Sequence, residues 1–144
     1  MLVDNTSSEA SQSPVKGIPL IPTEAFAGEI TFHFDEIPIE DMYTVSEFKQ
    51  ADFLIRVKGD SMSPKYNGGD IVACKKIQSL TFFQWHRIYV IRTASQGVII
   101  KRVEPGNCDS EVKIVSENSK YAPFSLAKKE ITDIALVLGA ITLE

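Results

Sequence analysis

Arg87-Ile88-Tyr89-Val90-Ile91-Arg92, then Thr93-Ala94-Ser95-Gln96-Gly97, then Val98-Ile99-Ile100-Lys101-Arg102-Val103, is the stretch that decides the fold class. Both ends are β-branched and aromatic, and the middle is small, polar and closed by glycine. That order predicts two strands joined as a hairpin with a longer loop. Similar runs flank it. Phe53-Leu54-Ile55-Arg56-Val57 reads as a strand, and Asp70-Ile71-Val72-Ala73-Cys74 follows a turn at Asn67-Gly68-Gly69. Glu111 to Val115 alternates as a half-buried strand should, and Ile131 to Leu143 supplies one or two more. Upstream, the prolines of Gly17-Ile18-Pro19-Leu20-Ile21-Pro22 allow an extended edge segment but no helix. Helical signals are weak: Ser46 is placed to cap one short turn, and Ser61 to Tyr66 allow another that Pro64 limits. No internal repeat is present. The expectation is a small, mostly β domain with short helical turns.

The totals bound what such a domain can be. At 144 residues and 44% hydrophobic, the chain suits one domain plus a tail and excludes a low-complexity protein. Residues 4–14 are polar and serine-rich, so residues 1–16 read as a flexible linker and 17–144 as the domain. The net charge of −4 argues against a free-standing nucleic-acid binder. It divides unevenly: −8 over residues 1–55, +7 over 56–102 and −3 over 103–144. The basic middle can hold the chain's own acidic arm or face an anionic partner, or the surface is simply uneven. Cys74 reads as a buried strand residue and Cys108 as a loop thiol, with no CxxC. His33 and His86 have no metal-ligand spacing and read as surface or interface residues. No nucleotide loop, signal peptide or membrane-length apolar run is present, so no metal, no cofactor, no membrane and a cytoplasmic location are expected. Phe82-Phe83-Gln84-Trp85 reads as core packing, or as a dimer or arm contact.

Two residues stand apart from this background. Lys101 lies inside an apolar strand and shares a face with Ile99 and Val103. If that face is the core, burial disfavours the ammonium, and a neutral amine can activate a serine without any histidine. If the strand is an edge, Lys101 snorkels to water. Ser61 sits in Gly59-Asp60-Ser61-Met62-Ser63-Pro64, just after a strand. A glycine there permits a sharp turn that opens the following amides. Ser61 is then either a nucleophile, with its own N–H helping to hold an oxyanion, or an ordinary cap at a strand-to-turn junction.

Together the segments resemble a known family. Val57-Lys58-Gly59-Asp60-Ser61-Met62, then Pro64, then Gly69-Asp70-Ile71-Val72, resembles the nucleophile motif of LexA-like self-cleaving serine peptidases. Gly97-Val98-Ile99-Ile100-Lys101-Arg102-Val103 resembles their base-bearing strand, and the separation of 40 residues between Ser61 and Lys101 is the family's. Ser116-Glu117-Asn118-Ser119-Lys120-Tyr121-Ala122-Pro123 is similar to their late Asn-containing loop, and Asp133 to Leu143 to their C-terminal dimer-forming strands. The resemblance covers roughly residues 18–144 and implies the β fold shared with signal peptidases. It also implies a scissile bond upstream of the nucleophile, a small residue followed by glycine. Ala27-Gly28 fits, 34 residues before Ser61.

By that resemblance, a segment around residues 24–32 is a movable arm, Ser61 attacks the Ala27 carbonyl, and neutral Lys101 takes the Ser61 proton. Lys101 later returns a proton to the Gly28 amine, and the Ser61 backbone N–H helps stabilise the oxyanion. The implied partners are a second copy of the chain and an activated recombinase filament. DNA is reached only through a helix-turn-helix domain outside this sequence. The implied role is the C-terminal portion of a phage-repressor-like transcription regulator. Two alternatives keep the fold: a UmuD-like polymerase accessory subunit, or a dimerisation module that does not cleave. Glu29-Ile30-Thr31-Phe32 after Gly28 does not resemble the sequence usual in the UmuD-like proteins.

Overall fold

The computed structural model describes residues 17–23, 41–78 and 83–142. Among these residues, nine strands form one sheet: β1 (Ile18–Leu20), β2 (Asp41–Tyr43), β3 (Phe53–Arg56), β4 (Ile71–Lys76), β5 (Arg87–Thr93), β6 (Gly97–Pro105), β7 (Glu111–Val115), β8 (Phe124–Ala127) and β9 (Ile131–Ile141). Their order across the sheet is β2-β1-β3-β4-β9-β5-β6-β7-β8. The expected mostly β architecture is therefore present, with 3-10 turns at Ser46–Phe48 and Lys128–Glu130. Among the described residues, no helix is long and apolar enough to cross a membrane.

Alternation explains why the strands are so apolar. Phe53, Ile55, Val72, Cys74, Val90 and Val137 share one buried cluster. Their immediate neighbours point the other way. Tyr89, Ile91, Ile134 and Leu136 belong to a second cluster, and Leu54 and Ala73 to a third. A strand covered on both faces needs apolar residues at every position, not at every second one. Each fully buried Ile, Leu or Phe contributes roughly 1.5–3 kcal/mol relative to exposure. Phe83 joins the second cluster, stacks on Trp85 at 5.3 Å and meets Tyr89 edge-on at 5.5 Å. Of the described part of that aromatic segment, Phe83 is core packing; Phe82 lies outside the described residues.

The β5–β6 hairpin forms as expected, from Arg87↔Val103 to Thr93↔Gly97. Gly97 has φ +72°, which lets the tight return close without a side-chain penalty. Two local expectations change. Ile18–Leu20 is not an edge: β1 lies between β2 and β3, and Pro19 faces Met42 across the β2 side. β2 takes the edge position instead. Ser46 does not cap its turn. It is the first residue of the 3-10 segment, and its hydroxyl contacts Glu47. Of the one or two strands expected from Ile131 onward there is one, Ile131–Ile141, bent by irregularities opposite Ala73/Cys74 and Arg92/Thr93. β8, not read from the sequence, alternates inward Phe124 and Leu126 with exposed Ser125 and pairs with β7. Residues 1–16, the arm at 24–32 and Ala27-Gly28 lie outside the described residues.

Candidate active site

The site is built from three segments. The first is the turn between β3 and β4. Gly59 has φ +75° and Gly69 has φ +96°, both left-handed, so glycine is needed at each bend. The Val57 N–H donates to the Asp70 carbonyl at 2.8 Å, and the Gly69 N–H donates back to the Val57 carbonyl at 3.0 Å. Buried Asp70 accepts the Asn67 N–H on its carboxylate at 2.9 Å. Between these anchors the chain makes one helical turn, with the Tyr66 N–H on the Met62 carbonyl at 2.8 Å. Met62 is buried in the first cluster and pins the turn to the core, leaving Ser61 half-buried beside it.

The second segment is β6. Its C-terminal half, Arg102–Pro105, pairs with β7, while residues 97–101 have no strand on that side among the described residues. The Val57–Met62 turn lies along this open edge. A cavity of about 160 Å³ between them is lined by Val57, Lys58, Ser61, Met62, Ile100 and Lys101, among others. The fold thus brings Ser61 and Lys101 into the lining of one cavity. Lys101 is half-buried, and burial holds its ammonium below the ordinary lysine range. Both sequence readings of Lys101 are partly met, because it is desolvated but not enclosed.

The third segment is the loop 116–123. The Asn118 backbone N–H donates to the Ser61 carbonyl at 2.9 Å, and its side-chain amide donates to the Asp60 carbonyl at 2.9 Å. The Glu117 N–H meets the Met62 sulfur at 3.5 Å. The Tyr121 hydroxyl donates to the Asp60 carboxylate at 2.5 Å. All these bonds land on carbonyls, the thioether or Asp60, so they fix the turn without using the Ser61 hydroxyl. The loop is itself tied to β6, where Arg102 Nε meets Glu117 at 2.7 Å and a second Arg102 nitrogen reaches the His86 carbonyl. The Glu117 carboxylate beside Arg102 raises the guanidinium pKa further.

A family model described as Peptidase S24-like matches residues 19–138, which includes all three segments. The chain belongs to the Peptidase S24-like family. It is also similar to LexA repressors: 33% identical over 147 residues to that of Vibrio cholerae serotype O1, covering 98% of this chain and 65% of the relative. The LexA repressor of Shewanella pealeana is 32% identical over 142 residues, covering 94% and 64%. That of Vibrio parahaemolyticus is 31% identical over 137 residues, covering 92% and 63%. The chain therefore spans just under two-thirds of the length of these curated relatives.

For a chain of the Peptidase S24-like family, the remaining chemistry-bearing residues are quickly placed. His86 is exposed and 3.6 Å from Glu104, away from the cavity lining. Cys74 is buried, and burial pushes its thiol far up; Cys108 is exposed. Among the described residues, no cluster of His, Cys, Asp and Glu could hold a metal ion. Sequence reasoning missed the Asp60–Tyr121 bond. An aromatic residue in an otherwise polar loop was the one available signal, and it does not say what the hydroxyl will meet.

Proposed function

We propose that this chain is the dimerising, self-cleaving domain of a LexA-like repressor, with Ser61 as nucleophile and Lys101 as general base. The observation that carries the reading is the shared cavity of Ser61 and Lys101, in which burial destabilises the Lys101 ammonium. The neutral amine takes the Ser61 hydroxyl proton as Oγ attacks the Ala27 carbonyl carbon. The resulting oxyanion accepts a hydrogen bond from the Ser61 N–H. Collapse of the intermediate breaks the Ala27–Gly28 bond, and the Lys101 ammonium protonates the departing Gly28 amine. Water then hydrolyses the ester at Ser61, with Lys101 again the base. The open edge of β6 at residues 97–101 suits an extended substrate, which can pair with it as an added strand.

Dimerisation is assigned to the C-terminal strand. Val137–Ile141 pairs with β4 but, among the described residues, not with β5, leaving one edge for a second copy. Cleavage at Ala27-Gly28 separates everything upstream from the dimer. A DNA-binding domain on the upstream side then loses the effective concentration that two-site binding supplies. An activated recombinase filament is the proposed trigger, and the proposed location is cytoplasmic.

Incubation of the purified chain at mildly alkaline pH, with and without activated filament, tests the reading by mass spectrometry. Fragments 1–27 and 28–144, absent in Ser61→Ala and in Lys101→Ala, are expected. An intact chain under both conditions overturns it.

A further inference from the structure

Tyr121 is exposed, yet both ends of its side chain are engaged. Its hydroxyl donates to the Asp60 carboxylate at 2.5 Å. Its ring lies 5.7 Å from Lys101 Nζ, within the range in which a ring face attracts an ammonium. The two contacts reach different elements. Asp60 precedes Ser61 in the β3–β4 turn, whereas Lys101 belongs to β6. The backbone of the same loop is fixed nearby, with the Tyr121 N–H on the Asn118 carbonyl at 3.1 Å and Asn118 on both Asp60 and Ser61. Tyr121 is therefore a strut between the turn that holds Ser61 and the strand that holds Lys101.

We propose that Tyr121 is a positioning residue for the Ser61–Lys101 pair, oriented by its bond to Asp60 and steering the Lys101 side chain with its ring. The proposal rests on the assignment of that pair. A lysine stem has four rotatable bonds, so a side chain half in water samples positions from which Nζ cannot reach the Ser61 hydroxyl. A ring beside Nζ narrows that range, and proximity terms in catalysis are steep in geometry. Under the alkaline conditions that favour a neutral lysine the ring no longer attracts a charge, and it confines the Lys101 side chain by contact alone while its anchor on Asp60 persists. The hydrogen bond to Asp60 pushes the Tyr121 phenol up, so it remains a donor there.

The test is the first-order self-cleavage rate of the full chain, backed by labelling of Ser61 with a fluorophosphonate. Tyr121→Leu is expected to slow both about tenfold. Tyr121→Phe keeps the ring and loses only its anchor, so a smaller loss is expected, with the melting temperature unchanged. Asp60→Ala should match Tyr121→Phe, Asp60→Asn should recover the rate because it keeps an acceptor, and the Asp60→Ala/Tyr121→Phe double variant should be no slower than either single one. In spectra of lysine-labelled protein, the Lys101 Hε resonances should lose an upfield ring-current displacement in Tyr121→Leu. Wild-type rates in Tyr121→Leu, additive losses in the double variant, or an unmoved Lys101 resonance overturn the proposal. If those results appear while Ser61→Ala and Lys101→Ala remain inactive, the strut alone fails. If Ser61→Ala or Lys101→Ala still cleaves, the assignment of the pair fails and the strut falls with it.

Discussion

The side-chain amide of Asn118 donates to the Asp60 carbonyl at 2.9 Å across 58 residues of chain, while its backbone N–H holds the Ser61 carbonyl at the same distance. One residue of a late loop thus fixes two successive peptide planes of the turn that carries Ser61. Asn118→Ala removes the first bond, and also the one its Oδ1 accepts from the Lys120 N–H at 3.0 Å, and keeps the backbone bond. It should lower stability by about 1–3 kcal/mol in urea unfolding, the usual net worth of two hydrogen bonds. The self-cleavage rate should fall with it, because the Asp60–Ser61 peptide is then free to rotate.

Arg102 anchors the same loop from the other side. Its Nε meets Glu117 at 2.7 Å, and both side chains are mostly shielded from solvent. Glu117→Gln keeps a hydrogen-bond acceptor but removes the charge, and Glu117→Ala removes both. The expected order of stability is wild type, then Gln, then Ala, with about 1.5–3 kcal/mol separating the ends, as for a bond to a charged group. Chemical denaturation of the three proteins gives the order directly.

How much of this was readable beforehand depends on the range of the interaction. The hairpin at 87–103, the strand at Glu111–Val115 and the left-handed bend at Gly59 are local, and local residue preference suffices to place them. β1 was expected at an edge and β2 was not read at all, because three-residue strands are made by their neighbours. Pro19 looked like an edge signal, yet only one side of a strand needs a given N–H, and β2 lies on the side Pro19 can tolerate. That Ser61 and Lys101 line one cavity was legible only through the resemblance, since periodicity left each with an ordinary explanation. The Asp60–Tyr121 contact was not legible at all, because it depends on where loop 116–123 docks.

The two thiols should separate cleanly by reactivity. Cys74 is fully buried in β4, with its thiol pushed up by desolvation and the nearby Asp52 charge, so almost no thiolate forms. Cys108 is exposed in a loop. Titration of the native protein with an aromatic disulfide reagent should consume one thiol promptly and the second only after denaturant is added. Two promptly reactive thiols in the native protein would contradict the burial of β4.

Gly139 marks the place where β9 meets the Ser46–Phe48 turn. A Cβ there would lie 2.6 Å from the Phe48 ring, well inside contact distance. Phe48 packs partly buried against the third cluster, so it cannot swing away without exposing apolar surface. Gly139→Ala should therefore cost about 1–3 kcal/mol, as overpacked sites do. Gly139→Ala combined with Phe48→Ala should recover part of that loss, which distinguishes a clash from a general effect on β9. Thermal unfolding of the singles and the pair measures both.

The pH dependence follows from the burial of Lys101. Its folded-state pKa is depressed, and no charged partner is needed to explain it. In the proposed mechanism cleavage requires the neutral amine, so the rate should rise with pH and level off with a midpoint below about 10.4, the ordinary lysine value. Stability carries the matching sign. Between the folded and unfolded pKa values the unfolded chain binds more protons at this position, so the Lys101 contribution to stability rises with pH across that window and is lost as pH falls through the folded value. Lys101→Met removes the group without opening a cavity, and should flatten that rise while abolishing cleavage. A rate profile with its midpoint at or above the ordinary lysine value, measured on the full chain in a series of buffers at constant ionic strength, would mean that desolvation of Lys101 does not set the reaction.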